Sequence, residues 1–313
     1  MIEVVEPGAL TSVQTADGRP GSRHLGVPVG GAADAWSARL ANRLVGNPDD
    51  AALFELTLSG PELRFDAETA VALTGADFEA YLDGLPLPPF IGRPAREGSL
   101  LRIGMGESAR GYLAVSGGIQ VPLVLGSMAT DLRTGFGGLE GRALRAGDRI
   151  AFGPPSSSIR RWTGSTPAGP IRILPGPHHA LLDVDGLTKA GWVVGIEADR
   201  TGVRLDGELV AAGEREVDSM GLPIGAIQVP SDGRPIVMLA DRPVTGGYPV
   251  PACVIRADIG RLAALRTGDR VTFVSVSAEE ALDALRELED ELAALDEAGA
   301  PPDHELGWAG AHL

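Results

Sequence analysis

Lysine is almost absent from this 313-residue chain, which carries only Lys189. That lysine lies in the segment GLTKAGW and not between two methionines, as in a biotin-carrier hairpin, so we expect no covalent biotin on this chain. An enzyme that works through a Schiff base would have to use Lys189, and nothing around it indicates an activated amine. A GxxxxGK(S/T) phosphate loop is also missing, which excludes that common means of binding a nucleotide.

Cysteine is equally scarce, because Cys253 is the only one in the sequence. A single cysteine excludes an internal disulfide and a cysteine-based zinc or iron–sulfur site. No two of the five histidines show the HExxH spacing that places two metal ligands on one helix face. The GxSxG signature of serine hydrolases is missing too. The sequence therefore predicts no metal centre and no common hydrolase nucleophile.

Long apolar runs and excess positive charge are also lacking. No stretch approaches the roughly 18 consecutive apolar residues that a membrane span needs, so we expect no membrane-spanning helix. The opening segment MIEVVEPGAL does not combine a basic region with an apolar run, so no signal peptide is expected. A net charge of −15 argues against nucleic acid as a partner. These absences favour a cytoplasmic protein that binds neither nucleic acid nor a membrane.

Glycine and proline, by contrast, are abundant, with 43 and 24 residues spread along the chain. Short apolar runs such as AVALTG, GYLAVSGG and PIVMLAD lie between them. Strand-length runs separated by turn signals are typical of a β-sandwich or a β-barrel. The sequence therefore predicts a mainly β protein.

Two similar segments, LRAGDRIAF at 144–152 and LRTGDRVTF at 265–273, suggest an internal repeat. Each consists of a turn followed by an alternating strand, and each closes an apparent half of the chain. The connection between the halves is rich in serine, proline and glycine. We therefore predict two β-rich halves, at 1–153 and 171–275.

Helical periodicity is confined to two segments. DAWSARLANRLVGN, at 34–47, places apolar residues on one face and has Asp34 as its N-cap. The second predicted helix, at 277–298, starts with a capping box formed by Ser277 and Glu280. It is strongly acidic, which is typical of a solvated helix face. The remaining residues, 299–313, have no period and are expected to be a loose tail.

Polar residues are concentrated in glycine-rich segments, which we call the polar loops. One of them, ADRPVTGGYP at 240–249, follows the apolar run Ile236–Leu239. Asp241 and Arg242 are either a surface ion pair at a strand end or part of a pocket wall. The other polar loops contribute, among others, Arg19, Ser127, Arg200, Ser219 and Gln228. Guanidinium, hydroxyl and amide groups together suit a small, oxygen-rich substrate.

The segments HLGVPVGGAAD, LGSMATDLRTGFGGLEGR, GAIQVPSDGRPIV and LADRPVTGGYP carry a family resemblance. With further matching stretches they cover the chain from about 5 to 275, in order. The sequence resembles the family called allophanate hydrolase subunit 2, or KipA, which is associated with the C subunit of bacterial 5-oxoprolinase. It is also similar to part of the carboxyltransferase region of urea carboxylase. The resemblance implies a β-rich fold of cyclophilin-like barrel character.

The first function that the resemblance implies is that of the C subunit of an ATP-dependent 5-oxoprolinase. Such a chain would act with subunit-A-like and subunit-B-like (KipI-like) partners to open 5-oxoproline to glutamate, with ATP used by the complex. The second is a carboxyltransferase component that acts on a urea-like amide, with the biotin carrier supplied by another chain. The third is a KipA-type regulatory partner of a KipI-like protein.

The resemblance also implies roles for residues of the polar loops. Arg19, Arg200 or Arg242 would hold the substrate carboxylate, and Asp241 or Asp34 would accept a proton or orient an arginine. The predicted catalytic residues are Asp241, Arg242 and Asp34; the predicted substrate-binding residues are Arg19, Ser127, Arg200, Ser219, Gln228, Thr245 and Tyr248.

The sequence departs from the family pattern within these loops. Gly30 stands where the family shows serine, Met128 and Ala129 replace arginine and serine, and Pro243 and Val244 replace glutamine and threonine. Each change removes a hydrogen-bonding side chain. The departures predict either a different substrate or a reduced catalytic capacity.

Overall fold

A computed structural model describes residues 1–181, 184–210 and 217–297. The chain divides into two compact units. Of the described residues, the first unit contains Met1–Gly18, Ala35–Ser165 and those from Asp290 on, and the second contains Arg19–Asp34 and those within Thr166–Glu289. None of the described helices is long and apolar enough to cross a membrane.

The first unit is built on a large antiparallel sheet. Within the described residues this sheet has 11 strands, of which seven follow the order β10-β11-β1-β4-β9-β3-β2, while β5, β6, β7 and β8 branch from it. The strands are β1 (Ile2–Glu6), β2 (Leu10–Gln14), β3 (Leu53–Ser59), β4 (Glu62–Phe65), β5 (Thr69–Thr74), β6 (Phe78–Leu82), β7 (Leu85–Pro86), β8 (Arg93–Ala95), β9 (Leu100–Val115), β10 (Ile119–Gln120) and β11 (Arg149–Phe152).

Strand β9 organises this sheet because it is long enough to pair with several neighbours. It pairs with β3, β4, β5 and β6 along its length. Its apolar residues enter a core with Phe54, Phe65 and Leu73, all of which are fully buried. Burial of apolar area at roughly 25 cal/mol per Å² makes this core the main source of the first unit's stability.

The second unit has its own sheet of eight strands in the described residues, in the order β20-β13-β14-β17-β16-β19-β12-β21, and a separate pair, β15-β18. The strands are β12 (Ile171–Pro175), β13 (Trp192–Val194), β14 (Gly202–Asp206), β15 (Met220–Gly221), β16 (Ala226–Gln228), β17 (Ile236–Met238), β18 (Thr245–Gly246), β19 (Ala252–Val254), β20 (Arg270–Val271) and β21 (Phe273–Ser275). The core of this unit forms around Trp192 and the apolar residues of β14, β16 and β17. The predicted mainly β fold with two barrel-like halves is confirmed.

Two of the four α-helices in the described residues lie in the predicted segments, whereas the short helices at Val184–Lys189 and Ile259–Ala263 were not expected. The four are α1 (Ala35–Leu44), α2 (Val184–Lys189), α3 (Ile259–Ala263) and α4 (Ala278–Glu297), with short 3₁₀ helices at Pro20–Leu25 and Arg256–Asp258. Helix α1 is shorter than the predicted 34–47, because the chain turns at Gly46, whose φ is +73°. The capping box of α4 is present, since Ser277 N donates to Glu280 and Glu280 N donates to Ser277 Oγ. Residue 298 and the predicted tail 299–313 lie outside the described residues.

The repeated segments form equivalent turns. Arg145 N donates to Asp148 Oδ2 over 2.7 Å, and Arg266 N donates to Asp269 Oδ2 over the same distance. Each turn leads into a strand, β11 in the first unit and β20 in the second. The repeat therefore corresponds to the same local structure in both units.

The units differ from the predicted halves in one important way, because residues 19–34 belong with the second unit. Gly30 N donates to Ala240 O over 3.2 Å, and Arg200 Nη2 donates to Gly31 O over 2.6 Å. Ala33 is buried in the second core. These contacts join positions far apart in sequence, which a reading of local pattern does not detect.

Candidate functional site

The polar loop ADRPVTGGYP follows strand β17, as the apolar run predicted. Val237, Met238 and Leu239 are buried. Asp241 and Arg242 come directly after them and are only 8% and 9% exposed. The surface-ion-pair interpretation is therefore wrong, because neither side chain is at the surface.

Asp241 forms its ion pair with Arg200 and not with its neighbour. Arg200 Nε and Nη2 donate to the two carboxylate oxygens of Asp241 over 2.8 and 2.9 Å. Arg200 also donates to Gly31 O, and Asp241 N donates to Arg200 O over 2.9 Å. Such a bidentate pair has strict geometry, so it fixes the loop at 29–31 and the end of β17 relative to each other.

Arg19 lies beside this pair. It is 2% exposed, and its backbone N donates to Val29 O over 2.8 Å. A Cβ atom at Gly30 would lie 3.6 Å from both Arg19 Nη1 and Asp241 Oδ1. Three of the predicted site residues, Arg19, Arg200 and Asp241, are therefore close together around Gly30.

Arg242 has a different environment, because no carboxylate pairs with it in the part of the chain that the structure describes. Its Nε donates to Leu222 O over 2.9 Å and its Nη1 to Leu239 O over 3.2 Å. Burial lowers the pKa of Arg242 to about 10, and repulsion by Arg23 and Arg256 adds to the effect. Arg242 remains charged at neutral pH and has no carboxylate counter-ion among the described residues.

Arg23 is a residue that sequence reasoning missed. Its Nη2 donates to Leu222 O over 3.2 Å and to Val244 O over 3.1 Å. It therefore shares the Leu222 carbonyl with Arg242. Only its membership of the polar loop DGRPGSRHLGVPVGG could have marked it, and that loop offered several bases without indicating which one faces the rest of the site.

The short ribbon of β15 and β18 carries further site residues. Met220 pairs with Gly246, and Gly221 pairs with Thr245. Thr245 is exposed, and Tyr248 beyond the ribbon is 49% exposed.

Gln228 lies under this ribbon and is 4% exposed. Its Nε2 is buried without a hydrogen-bond partner among the described atoms. A Cβ atom at Gly246 would lie 2.5 Å from Gln228 Nε2 and 2.7 Å from Leu222 Cδ1. Glycine at this position therefore permits a close approach that any larger residue would prevent.

We expect Gly246→Ala to disturb the site more than Gly247→Ala does. The new methyl group at position 246 would overlap Gln228 and Leu222, which costs about 1–3 kcal/mol of unfolding free energy. At position 247 a Cβ atom would lie 3.4 Å from Ser219 Oγ, an ordinary contact, so this variant is the matched control. Chemical denaturation of both variants measures the difference, and equal stabilities would contradict the close approach at Gly246.

Asp34 and Ser127 lie in other surroundings. Asp34 precedes α1 in the chain, and a Cβ atom at Gly260 in α3 would collide with its carboxylate. Ser127 belongs to the first unit, where its Oγ lies 3.5 Å from Thr15 Oγ1 and accepts a hydrogen bond from Ala129 N. Within the second unit the structure groups Arg19, Arg200 and Asp241.

The positions that depart from the family pattern also have defined surroundings. Gly30 adjoins Arg19 and Asp241. Val244 O accepts hydrogen bonds from Arg23 and from Leu222 N. Met128 packs against the first core, and Ala129 is fully buried.

A polar cavity of about 440 Å³ lies in the first unit, and it contains none of the predicted site residues. It is lined by Arg43, Gly46, Asn47, Pro48, Asp49, Ser156, Ser158 and Arg160. Arg43 and Arg39 both pair with Asp49, so two guanidinium groups share one carboxylate at this cavity. In the described part of the chain, no three His, Cys, Asp or Glu residues are arranged to hold a metal ion.

Residues 25–275 match the family model described as "Carboxyltransferase domain, subdomain A and B". The chain belongs to this carboxyltransferase-domain family, and the family expected from the sequence is confirmed.

Two bacterial relatives are similar over nearly their whole length. The C subunit of 5-oxoprolinase from Escherichia coli K12 is 39% identical over 292 residues, which cover 91% of this chain and 94% of the relative. The C subunit of 5-oxoprolinase from Haemophilus influenzae is 33% identical over 309 residues, which cover 93% of this chain and 99% of the relative.

Solved structures of fungal enzymes have the same fold. The crystal structure of the Kluyveromyces lactis urea amidolyase matches 96% of this chain with a TM-score of 0.87 and 29% identity. The urea carboxylase of the same yeast matches 96% with a TM-score of 0.86 and 29% identity. This chain spans 20% and 30% of those two chains, respectively.

Proposed function

We propose that this chain is the C subunit of an ATP-dependent 5-oxoprolinase and acts with A-type and B-type subunits to hydrolyse 5-oxoproline to glutamate. The observation that carries the proposal is Arg242, a buried guanidinium with no carboxylate partner among the described residues. The chain matches two 5-oxoprolinase C subunits over 94% and 99% of their length. A substrate with a carboxylate next to a lactam supplies the missing counter-ion.

The site residues divide the work as follows. Arg242 holds the carboxylate of 5-oxoproline. The N–H of Gln228 is suited to the lactam carbonyl, on which negative charge develops as water adds, before the C–N bond breaks. Asp241, together with Arg200, positions the loop at 29–31. Asp34 remains the proposed proton acceptor, and Ser219, Thr245 and Tyr248 remain proposed substrate contacts.

ATP is proposed to be bound by the partner subunits. This chain contains no phosphate loop, and its single lysine is not placed in a nucleotide motif. The B-type, KipI-like chain is proposed as the direct partner, and the cytoplasm as the location.

We expect the isolated chain to be catalytically silent, because its polar loops hold no nucleophile set and no phosphate-binding motif. The measurement is ATP-dependent release of glutamate from 5-oxoproline by the purified chain, by the three co-expressed subunits, and by each mixture that omits one of them. Full activity without this chain would refute its role, and turnover by this chain alone would refute the need for partners.

The second candidate is a carboxyltransferase component with the biotin carrier supplied in trans. It is favoured by the family description and by the structural match to the urea carboxylase. Biotin-dependent carboxylation of urea or a related amide by this chain, with added carrier and biotin carboxylase, would support it. A KipA-type regulatory role remains the alternative if the chain binds a KipI-like partner tightly and neither reaction occurs.

A further inference from the structure

We propose that Arg23 and Arg242, with Thr245 beside them, form one anion site that takes the substrate carboxylate between two guanidinium groups. The proposal rests on the proposed function for the identity of the substrate. The anion site itself rests on the contacts of the second unit.

The two guanidinium groups meet at one backbone oxygen. Arg242 Nε and Arg23 Nη2 both donate to Leu222 O, over 2.9 and 3.2 Å. The two nitrogens therefore lie within about 6 Å of each other. A guanidinium has five N–H donors, so each group has donors beyond those that the carbonyls use.

No carboxylate among the described residues neutralises the charge of this pair. Neither Arg23 nor Arg242 forms an ion pair with any carboxylate among the described residues. The carboxylate of Asp241 is taken by Arg200. Arg256 adds a third positive charge that acts on Arg242. Like charges held close together at a partly buried position favour an anion between them.

The ribbon beside the pair carries two exposed residues, Gly221 and Thr245. A Cβ atom at Gly221 would lie 3.7 Å from Arg23 Nη2, so Arg23 lies over this face of β15. Thr245 is opposite Gly221, and opposed residues of an antiparallel pair project to the same face. The Thr245 hydroxyl therefore lies on the side of Arg23, and the absence of a side chain at Gly221 leaves room for a ligand.

These features select a small planar anion. Two guanidinium groups and a hydroxyl match the oxygen atoms of a carboxylate, and arginine recognises such groups through paired N–H donors. A neutral lactam carries no charge to pair with the two guanidinium groups and accepts hydrogen bonds through a single carbonyl oxygen. The site therefore distinguishes 5-oxoproline from 2-pyrrolidinone, which has the same ring and no carboxylate.

The first test measures binding to the full-length chain. The melting temperature is compared without ligand and with 5-oxoproline, sulfate or 2-pyrrolidinone. We expect 5-oxoproline to raise the melting temperature of the wild type and 2-pyrrolidinone to leave it unchanged. Arg23→Met and Arg242→Met should each abolish the rise, whereas Arg234→Met, an exposed arginine paired with Asp206, should retain it. Stabilisation by 5-oxoproline that persists in both site variants would overturn the proposal. Stabilisation by sulfate alone would overturn the assignment to the substrate carboxylate.

The second test is activity of the assembled complex. Each of the two site variants should lower kcat/KM for 5-oxoproline about 100-fold, mainly through KM, because a charged hydrogen-bonded partner is lost. A wild-type complex without 5-oxoprolinase activity refutes the proposed function, whereas the binding test still decides on the anion site. An active complex whose site variants keep the wild-type KM refutes the anion site alone. Because Arg23 is only half-buried, its variant gives a result even if Arg242→Met folds poorly.

Discussion

Replacing Arg200 by methionine is expected to lower the free energy of unfolding by about 3–5 kcal/mol, the cost of leaving one member of a buried ion pair without its partner. The carboxylate of Asp241 would lose both of its guanidinium hydrogen bonds, and Gly31 O would lose a donor. Loss of activity in this variant would follow from loss of structure. Chemical denaturation measures the effect, and Arg204→Met, which breaks more exposed ion pairs, is the control, with a cost of about 0–1 kcal/mol.

Arg242→Met is expected to behave in the opposite way. It leaves no carboxylate without a partner, and the loss of two hydrogen bonds to carbonyls, at about 1 kcal/mol each, is offset by removal of a buried charge. The variant should therefore remain close to the wild type in stability and lose activity in the complex. A cost equal to that of Arg200→Met would show that Arg242 is a structural residue.

A double substitution tests whether Arg200 and Asp241 stabilise the protein as a buried pair. Arg200→Met combined with Asp241→Leu removes both charges, so it should be more stable than Arg200→Met alone. If the double variant is the less stable of the two, the pair does not act as the buried unit described above.

The substitution Asp258→Asn should have the second large effect, and this effect on stability should depend on pH. It is fully buried, and Arg172 donates to both of its carboxylate oxygens, over 3.0 and 2.8 Å, while Arg261 lies 3.1 Å away. Burial alone would raise the pKa of Asp258, but hydrogen bonds from Arg172 and the charges of Arg261 and Arg172 outweigh it, so the pKa is lowered. We expect Asp258→Asn to cost about 2–4 kcal/mol at pH 7.

The pH dependence follows from the direction of that shift. A carboxylate whose pKa is lower in the folded protein stabilises it above the unfolded pKa of about 4, and the contribution is lost as the pH falls through the folded value. The difference in stability between wild type and Asp258→Asn should therefore shrink below about pH 4. Asp283→Asn, which affects an exposed pair with Arg286, is the control and should show little difference at any pH. A gap that stays constant into acid would contradict the lowered pKa.

The sequence predicted the fold class and several local features because these depend on nearby residues. Turn signals between short apolar runs indicated the β strands, and the capping box at Ser277 and Glu280 marked the start of α4. The end of α1 was placed too late, since the left-handed conformation of Gly46 was not evident from periodicity.

The site was predicted less completely, because its arrangement depends on long-range contacts. Sequence reasoning grouped Arg200 and Arg242 as equivalent candidates for a carboxylate, but Arg200 is already paired with Asp241. Arg23 gave no signal beyond its place in a polar loop, since nothing distinguished it from the other two basic residues there. The pocket formed by Asp241, Arg242, Thr245 and Tyr248 stays a prediction, as do the roles of Ser127 and Asp34.

The membership of residues 19–34 in the second unit has a consequence for the order of synthesis. This segment leaves the ribosome long before β14 and β17, whose ends supply the contacts to Gly30 and Gly31. Gly30 and Gly31 therefore have no access to these hydrogen-bond partners while most of the first unit's strands are synthesised. A fragment that starts at 166 would also lack Ala33 from its core and the acceptor for Arg200, so a simple cut between the two units does not yield an independently complete second domain.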